Sequence, residues 1–171
     1  MKDKPSIISG NNIVLKNLQE KDLKRMHYLF NNKEIKVTYM IKDFTSLEEE
    51  NEMLRKLIYL SSLKNRFIYG IYLQNELIGF LNDCQIVEDE IELGYFIDPI
   101  HWKKGFATEA LGLAINTLFS IGYKKVVAGY FEENIASLKV MQKNKMVNCL
   151  KEDIIEYKGK KHRCLYCEIK R

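Results

Sequence analysis

The sequence predicts an α+β fold in which a mixed sheet of about seven strands is flanked by about four helices. Hydrophobic residues recur at helical spacing in some segments and alternate at strand spacing in others. The middle of the chain adds an antiparallel hairpin and a strand–helix–strand unit, which gives a parallel crossover. The chain has 171 residues, the length of one domain, so we expect residues 1–171 to fold as a single unit.

The first part of the chain is predicted to form one strand and two helices. The strand is Ile13–Leu18. The apolar stripe of the first helix consists of Leu23, Met26, Leu29 and Phe30. Ser46 and Glu49 form a capping box, so the second helix begins at Ser46 or Leu47 and ends near Leu63. Residues 37–40 lie between the helices, and their pattern fits either a loop or a short helix near a substrate.

The central part of the chain predicts a hairpin, a further strand and a long helix. Phe67–Leu73 and Leu77–Val87 read as strands around a turn at residues 74–76, and Asp89–Asp98 is the next strand. The helix has one apolar face and a C-terminal stop at Gly122. That face consists of Ala107, Leu111, Ala114, Ile115, Leu118 and Phe119.

The last part of the chain predicts three strands and one helix. Lys125–Tyr130 reads as a buried strand parallel to the strand before the long helix. A helix follows over about Asn134–Asn144. The final strands are Val147–Tyr157 and His162–Lys170, on either side of a turn at residues 158–161.

The loop between the fourth predicted strand and the long helix has the features of a phosphate site. Pro99 stops the strand, Gly105 allows a tight turn, and the helix then presents free backbone N–H groups beside Lys103 and Lys104. Such an arrangement suits a pyrophosphate. The sequence contains neither G-x-x-x-x-G-K-S/T nor G-x-G-x-x-G, which argues against a nucleoside triphosphate or a dinucleotide.

Composition and charge narrow the class of protein. The chain carries 27 Lys and Arg against 23 Asp and Glu, a formal net charge of +4. Its basic runs are not interleaved with aromatic residues, so we do not expect nucleic-acid binding. No secretory leader follows Met1, and no apolar run approaches the roughly 20 residues of a membrane span. We therefore expect a cytoplasmic protein with no membrane partner.

The cysteines do not predict a metal or redox site. All four, Cys84, Cys149, Cys164 and Cys167, are expected to be reduced thiols, because no export signal is present. Cys164 and Cys167 have C-x-x-C spacing, but residues three apart on a strand face opposite sides. No second pair completes a tetrahedral site. We expect no metal.

The order of elements and the loop resemble the GNAT superfamily of acetyl-CoA-dependent N-acetyltransferases over essentially the whole chain. The pyrophosphate motif of that family, Q/R-x-x-G-x-G/A, aligns with Trp102–Ala107. Asn134 and Ser137, followed by Lys143, are similar to the N-x-x-S and later Lys of the ribosomal-protein alanine acetyltransferase branch, the RimJ/RimL type. Two departures are Trp102 in place of Gln or Arg, and Lys145-Met146 in place of Gly-Phe.

The resemblance implies how acetyl-CoA would bind. In the family, the fourth and fifth strands splay apart, and pantetheine adds to the fourth strand through main-chain bonds, here at Phe96 and Ile97. The residues expected around the pyrophosphate are Lys103, Lys104, Gly105, Phe106, Ala107 and Thr108. Asn134 would bind the pantetheine region or cap its helix.

The resemblance also implies the catalytic groups. Glu92 would act as a base, directly or through water, although a strand glutamate beside Glu90 could equally be a solvated surface residue. The tyrosine that often protonates the leaving thiolate in the family falls at Met141, so Ser137 is the substitute candidate. A cap of the helix's first turn is the alternative for Ser137.

The acceptor is expected to be an amine that needs little help to lose a proton. An α-amino group of pKa near 8 is about a tenth neutral at pH 7, whereas a lysine is neutral at about one part in a few thousand. This favours a protein N-terminus or a small-molecule amine, bound near Tyr39 and Asp83, with Asn82 as a further polar group. We expect direct transfer in a ternary complex by a monomer or homodimer. The alternatives are a non-catalytic acyl-CoA sensor and a nucleic-acid module.

Overall fold

A computed structural model describes residues 3–171 as one mixed sheet with helices on both faces. Its strands are β1 (Ile7–Ser9), β2 (Ile13–Lys16), β3 (Tyr69–Leu73), β4 (Glu76–Val87), β5 (Glu90–Ile97), β6 (Lys125–Phe131), β7 (Val147–Tyr157) and β8 (Lys160–Lys170). Its α-helices are α1 (Leu23–Asn31), α2 (Lys33–Thr38), α3 (Leu47–Ser62), α4 (Phe106–Ile121) and α5 (Ile135–Lys143). The predicted α+β class is confirmed.

The sheet has the strand order β1-β2-β3-β4-β5-β6-β8-β7. Every neighbouring pair is antiparallel except β5 and β6, which are parallel. Their pairing runs from Glu90 opposite Lys125 to Leu93 opposite Ala128 and then stops, although both strands continue. The predicted splay is therefore present. It lies between β5 and β6 because the short strand β1 precedes the first predicted strand.

The two faces of the sheet are covered by different helices. One hydrophobic cluster joins α1, α2 and α3 to the sheet and includes Met26, Leu29, Ile35, Leu54, Phe80 and Phe96. The other joins α4 and α5 to the opposite face and includes Ile91, Leu93, Ala114, Leu118, Val126 and Met141. Because successive side chains of a strand alternate between faces, β5 contributes to both clusters. The splay between β5 and β6 therefore has one helical layer on each side of the sheet.

The sequence prediction left one element undecided between a loop and a short helix, and it did not include another. Residues 33–38 form the helix α2, which begins where the Asn32 side chain accepts hydrogen bonds from Glu34 N and Ile35 N. Residues 39–46 then form a loop before α3. The strand β1 was not predicted, because three residues are too few to show alternation.

The C-terminal cysteines lie as predicted. Cys164 and Cys167 belong to different hydrophobic clusters, on opposite faces of β8. Within residues 3–171, no three His, Cys, Asp or Glu side chains are grouped as metal ligands. No helix in the same range is both long and apolar enough to cross a bilayer.

Candidate active site

The edge of β5 that faces the splay carries free main-chain groups. Asp98 N donates to Ile78 O at 2.7 Å, and Phe96 lies opposite Phe80 in the β4–β5 ladder. Hydrogen-bonded positions alternate along an antiparallel pair, so Phe96 also directs its N–H and C=O toward β4. Tyr95 and Ile97 direct theirs toward β6, whose pairing with β5 has ended at Leu93.

Trp102 uses one of these free groups. Its indole Nε1 donates to Ile97 O at 2.7 Å. The groups left on the open edge are the N–H and C=O of Tyr95 and the N–H of Ile97. This short row of donors and acceptor can pair with an extended, amide-containing ligand, as a strand edge pairs with a peptide.

The loop after β5 is held in place by Asp98, and it leads to free N–H groups at the start of α4. The buried Asp98 carboxylate accepts from Ile100 N at 3.2 Å and forms an ion pair with Arg25. Lys103 and Gly105 adopt left-handed conformations, with φ of 62° and 86°. Among residues 3–171, no side chain caps the start of α4 at Gly105. The first N–H groups of α4 therefore remain available beside the exposed side chains of Lys103 and Lys104.

Glu109 holds the first turn of α4 against the start of the sheet. Its carboxylate accepts from Asn12 N at 2.8 Å, from Asn12 Nδ2 at 2.9 Å and from Ile13 N at 3.4 Å. Partial burial raises the pKa of Glu109, but the hydrogen bonds from Asn12 outweigh it and the pKa is lowered. This carboxylate ties the first turn of α4 to the turn between β1 and β2.

Glu92 lies on β5 and alternates with Gly94 and Phe96 on the face covered by α1–α3. Its carboxylate accepts from Lys151 Nζ at 2.8 Å, and its side chain is 18% exposed. Burial lowers the pKa of Lys151, but the hydrogen bond to Glu92 and the attraction of nearby carboxylates together raise it by more. The pKa of Lys151 is therefore raised overall, and the ammonium is retained. Glu92 is thus a partly accessible carboxylate held by a cation from β7.

Tyr39 covers Gly94 from the loop after α2. Its hydroxyl donates to Asn82 Oδ1, and its ring meets that of Phe96 edge-on at 4.9 Å. A Cβ atom on Gly94 would lie 3.0 Å from Cys84 Sγ and 3.2 Å from the Tyr39 ring. Glycine therefore gives Tyr39 room to pack on the strand beside Glu92.

Ser137 lies across the splay on α5. Its hydroxyl is 3.0 Å from the hydroxyl of Tyr95, whose pKa is raised by burial, so that the phenol stays protonated. Asn134 Oδ1 accepts from Ser137 N at 3.1 Å and thereby caps α5. The Ser137 hydroxyl is therefore not the cap of its helix. Met141, further along α5, is fully buried in the core.

Comparison with known proteins identifies the family. Residues 12–147 match the family described as acetyltransferase (GNAT) domain. The chain belongs to the GNAT family. It is 27% identical over 142 residues to the uncharacterized N-acetyltransferase YoaA of Bacillus subtilis strain 168, which covers 80% of each chain. The protein is an N-acetyltransferase with the GNAT fold.

Solved GNAT structures superimpose over nearly the whole chain. RimL, a ribosomal L7/L12 α-N-protein acetyltransferase in complex with coenzyme A, matches with a TM-score of 0.82 at 20% identity, covering 96% of this chain and 97% of that one. A ribosomal-protein-S5-alanine acetyltransferase from Vibrio fischeri matches with a TM-score of 0.81 at 16% identity, covering 96% of each chain. At these identities the similarity establishes the fold.

Two predicted site residues of this GNAT enzyme need correction. Phe96 directs its main chain toward β4, so Tyr95, which the sequence prediction missed, replaces it beside Ile97 on the open edge. Asp83 is buried, and its carboxylate accepts from Arg66 Nη2 at 2.6 Å and Phe67 N at 2.7 Å. It anchors the approach to β3 and is not placed to bind an acceptor.

The other predicted residues lie around the splay. Lys103, Lys104, Gly105, Phe106, Ala107 and Thr108 form the loop and first turn of α4. Glu92 and Tyr39 lie on the α1–α3 side of the opening, and Ser137 and Asn134 lie on the α5 side. Sequence reasoning missed Lys151 and Tyr95 because their partners, Glu92 and Ser137, lie 59 and 42 residues away along the chain and meet them only in the folded protein.

Proposed function

We propose that this GNAT enzyme transfers an acetyl group from acetyl-CoA directly to a primary amine in a ternary complex. The observation that carries the proposal is the open edge of β5, which leads into the uncapped start of α4. One end offers main-chain partners for amides, and the other offers N–H groups and lysines for phosphate. Acetyl-CoA has amides and a pyrophosphate in that order, and supplies the activated acetyl group.

The residues present fit that ligand. Tyr95 and Ile97 would pair with the pantetheine amides. The pyrophosphate would bind at the first turn of α4, where the N–H groups and the helix dipole favour an anion and Lys103 and Lys104 add charge. Gly105 permits the left-handed turn that directs these N–H groups outward. The coenzyme A complex of the RimL structure supports the same choice of ligand.

Glu92 is proposed to accept the proton of the amine, directly or through one water molecule. Its bond to Lys151 holds the carboxylate in place, and its exposed fraction leaves it reachable. A carboxylate is a weak base, so the acceptor must supply neutral amine itself. An α-amino group of pKa near 8 is about a tenth neutral at pH 7, far more than a lysine side chain.

Ser137 is proposed to stabilise the leaving thiolate. When Tyr95 donates to Ser137 Oγ, the serine hydroxyl is free to donate its own proton toward the sulfur. A thiol of pKa near 8.5 leaves readily as thiolate, so a hydrogen bond suffices. Tyr95 and Ser137 would together take the part that the resemblance gives to a tyrosine at the position of Met141.

The acceptor is proposed to be the N-terminal α-amine of a protein or peptide, with a small-molecule amine as the alternative. The protein acceptor is supported by two neighbours in fold, one named an α-N-protein acetyltransferase and the other a ribosomal-protein-S5-alanine acetyltransferase. The limited base machinery supports an α-amine in either case.

The test is a panel of N-terminal peptides and small amines, assayed for acetyl-CoA-dependent thiol release and for acetylated product by mass spectrometry. We expect turnover with wild type and a fall in kcat of about 10²–10⁴ in Glu92→Gln, with coenzyme A affinity unchanged. Glu90→Gln is the matched control, because Glu90 lies two residues away and pairs with Lys125. Coenzyme A binding without turnover in every variant would establish the sensor alternative.

A further inference from the structure

A basic cleft lies between α2 and the β7–β8 hairpin. It has a volume of about 570 Å³ and is lined by Lys33 and Lys36 from the helix and by Lys158 and Lys160 from the hairpin. Asp43 is the carboxylate among its lining residues. Four lysines against one aspartate leave a surplus of three positive charges.

Two of the lysines are held in place and two are free to bind. Asp43 accepts from Lys36 Nζ at 2.8 Å and from Lys158 Nζ at 2.7 Å. These bonds, first that of Lys158, lower the pKa of Asp43 to about 2, so the clamp persists at any ordinary assay pH. Lys33 and Lys160 are exposed and form no ion pair within residues 3–171.

Side-chain contacts hold the wall of the cleft together. The Tyr157 hydroxyl donates to Lys36 O at 2.8 Å and so ties β7 to α2. Phe131 stacks on His162 at 4.4 Å and lies 6.1 Å from the ring of Tyr157. The aromatic side chains of the lining, Tyr157 and His162, therefore both pack against Phe131.

Tyr39 connects the cleft to the candidate active site. Its side chain covers Gly94, two residues from Glu92 on β5. Its main-chain carbonyl, at the other end of the same residue, lies 3.4 Å from the Tyr157 hydroxyl in the cleft wall. A chain that placed its amine near Glu92 and passed Tyr39 would enter the cleft after a few residues, since each extended residue advances about 3.4 Å.

We propose that the cleft binds acidic side chains of the acceptor, so that the preferred substrate is a peptide with Asp or Glu in the residues that follow its N-terminal amine. The inference rests on the proposed function, because it assumes a peptide acceptor. Surplus lysine charge attracts carboxylates and favours acidic over neutral partners. Lys33 and Lys160 are the specificity-determining residues, and the Asp43 clamp sets the width between them.

The first test compares matched peptides with Asp or Glu, or with Asn or Gln, at positions 2 to 5. We expect kcat/KM to be about 3- to 10-fold higher for the acidic peptide at the best position, chiefly through KM, and less so in high salt. Lys33→Gln/Lys160→Gln should remove the preference. Lys24→Gln/Lys56→Gln, which removes two exposed lysines outside the cleft, should retain it.

The second test measures binding of the N-acetylated forms of the same peptides by calorimetry, which needs no turnover. Tighter binding of the acidic product to wild type than to Lys33→Gln/Lys160→Gln supports the cleft even where the choice of α-amine proves wrong. Equal kcat/KM for acidic and neutral peptides overturns the inference and leaves the acetyltransferase proposal intact. An oligonucleotide that displaces the acetylated peptide from wild type would also overturn the inference, provided that Lys33→Gln/Lys160→Gln no longer binds the oligonucleotide. That result would favour a nucleic-acid ligand.

Discussion

Tyr95 serves the candidate site through two separate parts of one residue. Its main-chain N–H and C=O lie on the open edge of β5, while its hydroxyl reaches Ser137 Oγ on α5 at 3.0 Å. Strand geometry makes this possible, because the main chain lies in the plane of the sheet and the side chain is perpendicular to it. Substitution of the phenol alone therefore separates binding from chemistry.

Tyr95→Phe should lower kcat about 10-fold while the KM for acetyl-CoA changes little, because the main chain stays in place. Ser137→Ala should lower kcat about 100-fold, and the double variant should be no slower than Ser137→Ala, since the tyrosine acts through the serine. Steady-state kinetics on the best amine of the panel give these values. Fully additive losses would show that the two hydroxyls work independently.

Tyr72→Phe is the matched control for that series. Tyr72 is buried and donates to Asp22 Oδ2 at 2.6 Å, away from the splay. Loss of its hydroxyl should lower the free energy of unfolding by about 1 kcal/mol and leave kcat unchanged. The comparison distinguishes a chemical role of a tyrosine hydroxyl from its part in general stability.

At the scale of an element, the start of α4 depends on one backbone conformation. Gly105 has a φ of 86°, and a Cβ atom there would meet no atom of the described residues within 4 Å. Gly105→Ala is therefore opposed only by backbone strain, about 1–2 kcal/mol. We expect a loss of stability of that size in urea unfolding and a rise of about 5-fold in the KM for acetyl-CoA as the loop relaxes.

Gly159→Ala is the control for Gly105→Ala. Gly159 has a φ of 73° and equally open surroundings, but it lies in the β7–β8 turn. The Gly159→Ala variant should lose a similar amount of stability, without a change in its KM for acetyl-CoA. Equal effects of both substitutions on that KM would mean that the loop before α4 does not bind the cofactor.

The sequence predicted the elements that carry their own end signals. Ser46 accepts from Glu49 N at the start of α3, and Gly122 ends α4 with a φ of 112°. Pairings between distant segments were not predictable in this way. The register with β4 decides whether Tyr95 or Phe96 directs its main-chain groups toward the splay. The ion-pair partner of Glu92 is Lys151, which lies 59 residues further along the chain.

Local pattern likewise failed for Asp83. Its position beside Asn82 suggested a polar cleft, but adjacent strand residues face opposite sides of the sheet. Asn82 bonds to Tyr39, whereas Asp83 meets Arg66 on the other side. Strand alternation alone could have separated the two, had the face that carries the site been known.

At the scale of the whole molecule, the proposed cofactor site joins parts that otherwise diverge. Beyond Leu93, β5 and β6 no longer pair, and α4 and α5 lie on one side of the opening. A ligand bound there would tie these parts together in the folded state alone. Coenzyme A should therefore stabilise the entire fold against unfolding.

At a coenzyme A concentration 100 times its Kd, the stabilisation should be about 2.7 kcal/mol. For a chain of this size that corresponds to a rise in Tm of about 5–10 °C. Thermal unfolding followed by circular dichroism measures it, and Gly105→Ala at the same ligand concentration should show a smaller rise. An unchanged Tm at saturating coenzyme A would contradict binding at the splay.

The indole of Trp102 has a consequence for how the protein behaves in a crowded solution. An unpaired strand edge can recruit a strand from another molecule and start aggregation. Here the open edge of β5 is only the few residues past Leu93, it lies inside the sheet between β4 and β6, and Trp102 Nε1 occupies its last carbonyl. The edge is long enough for a slender ligand and too short and recessed to seed growth of a foreign sheet.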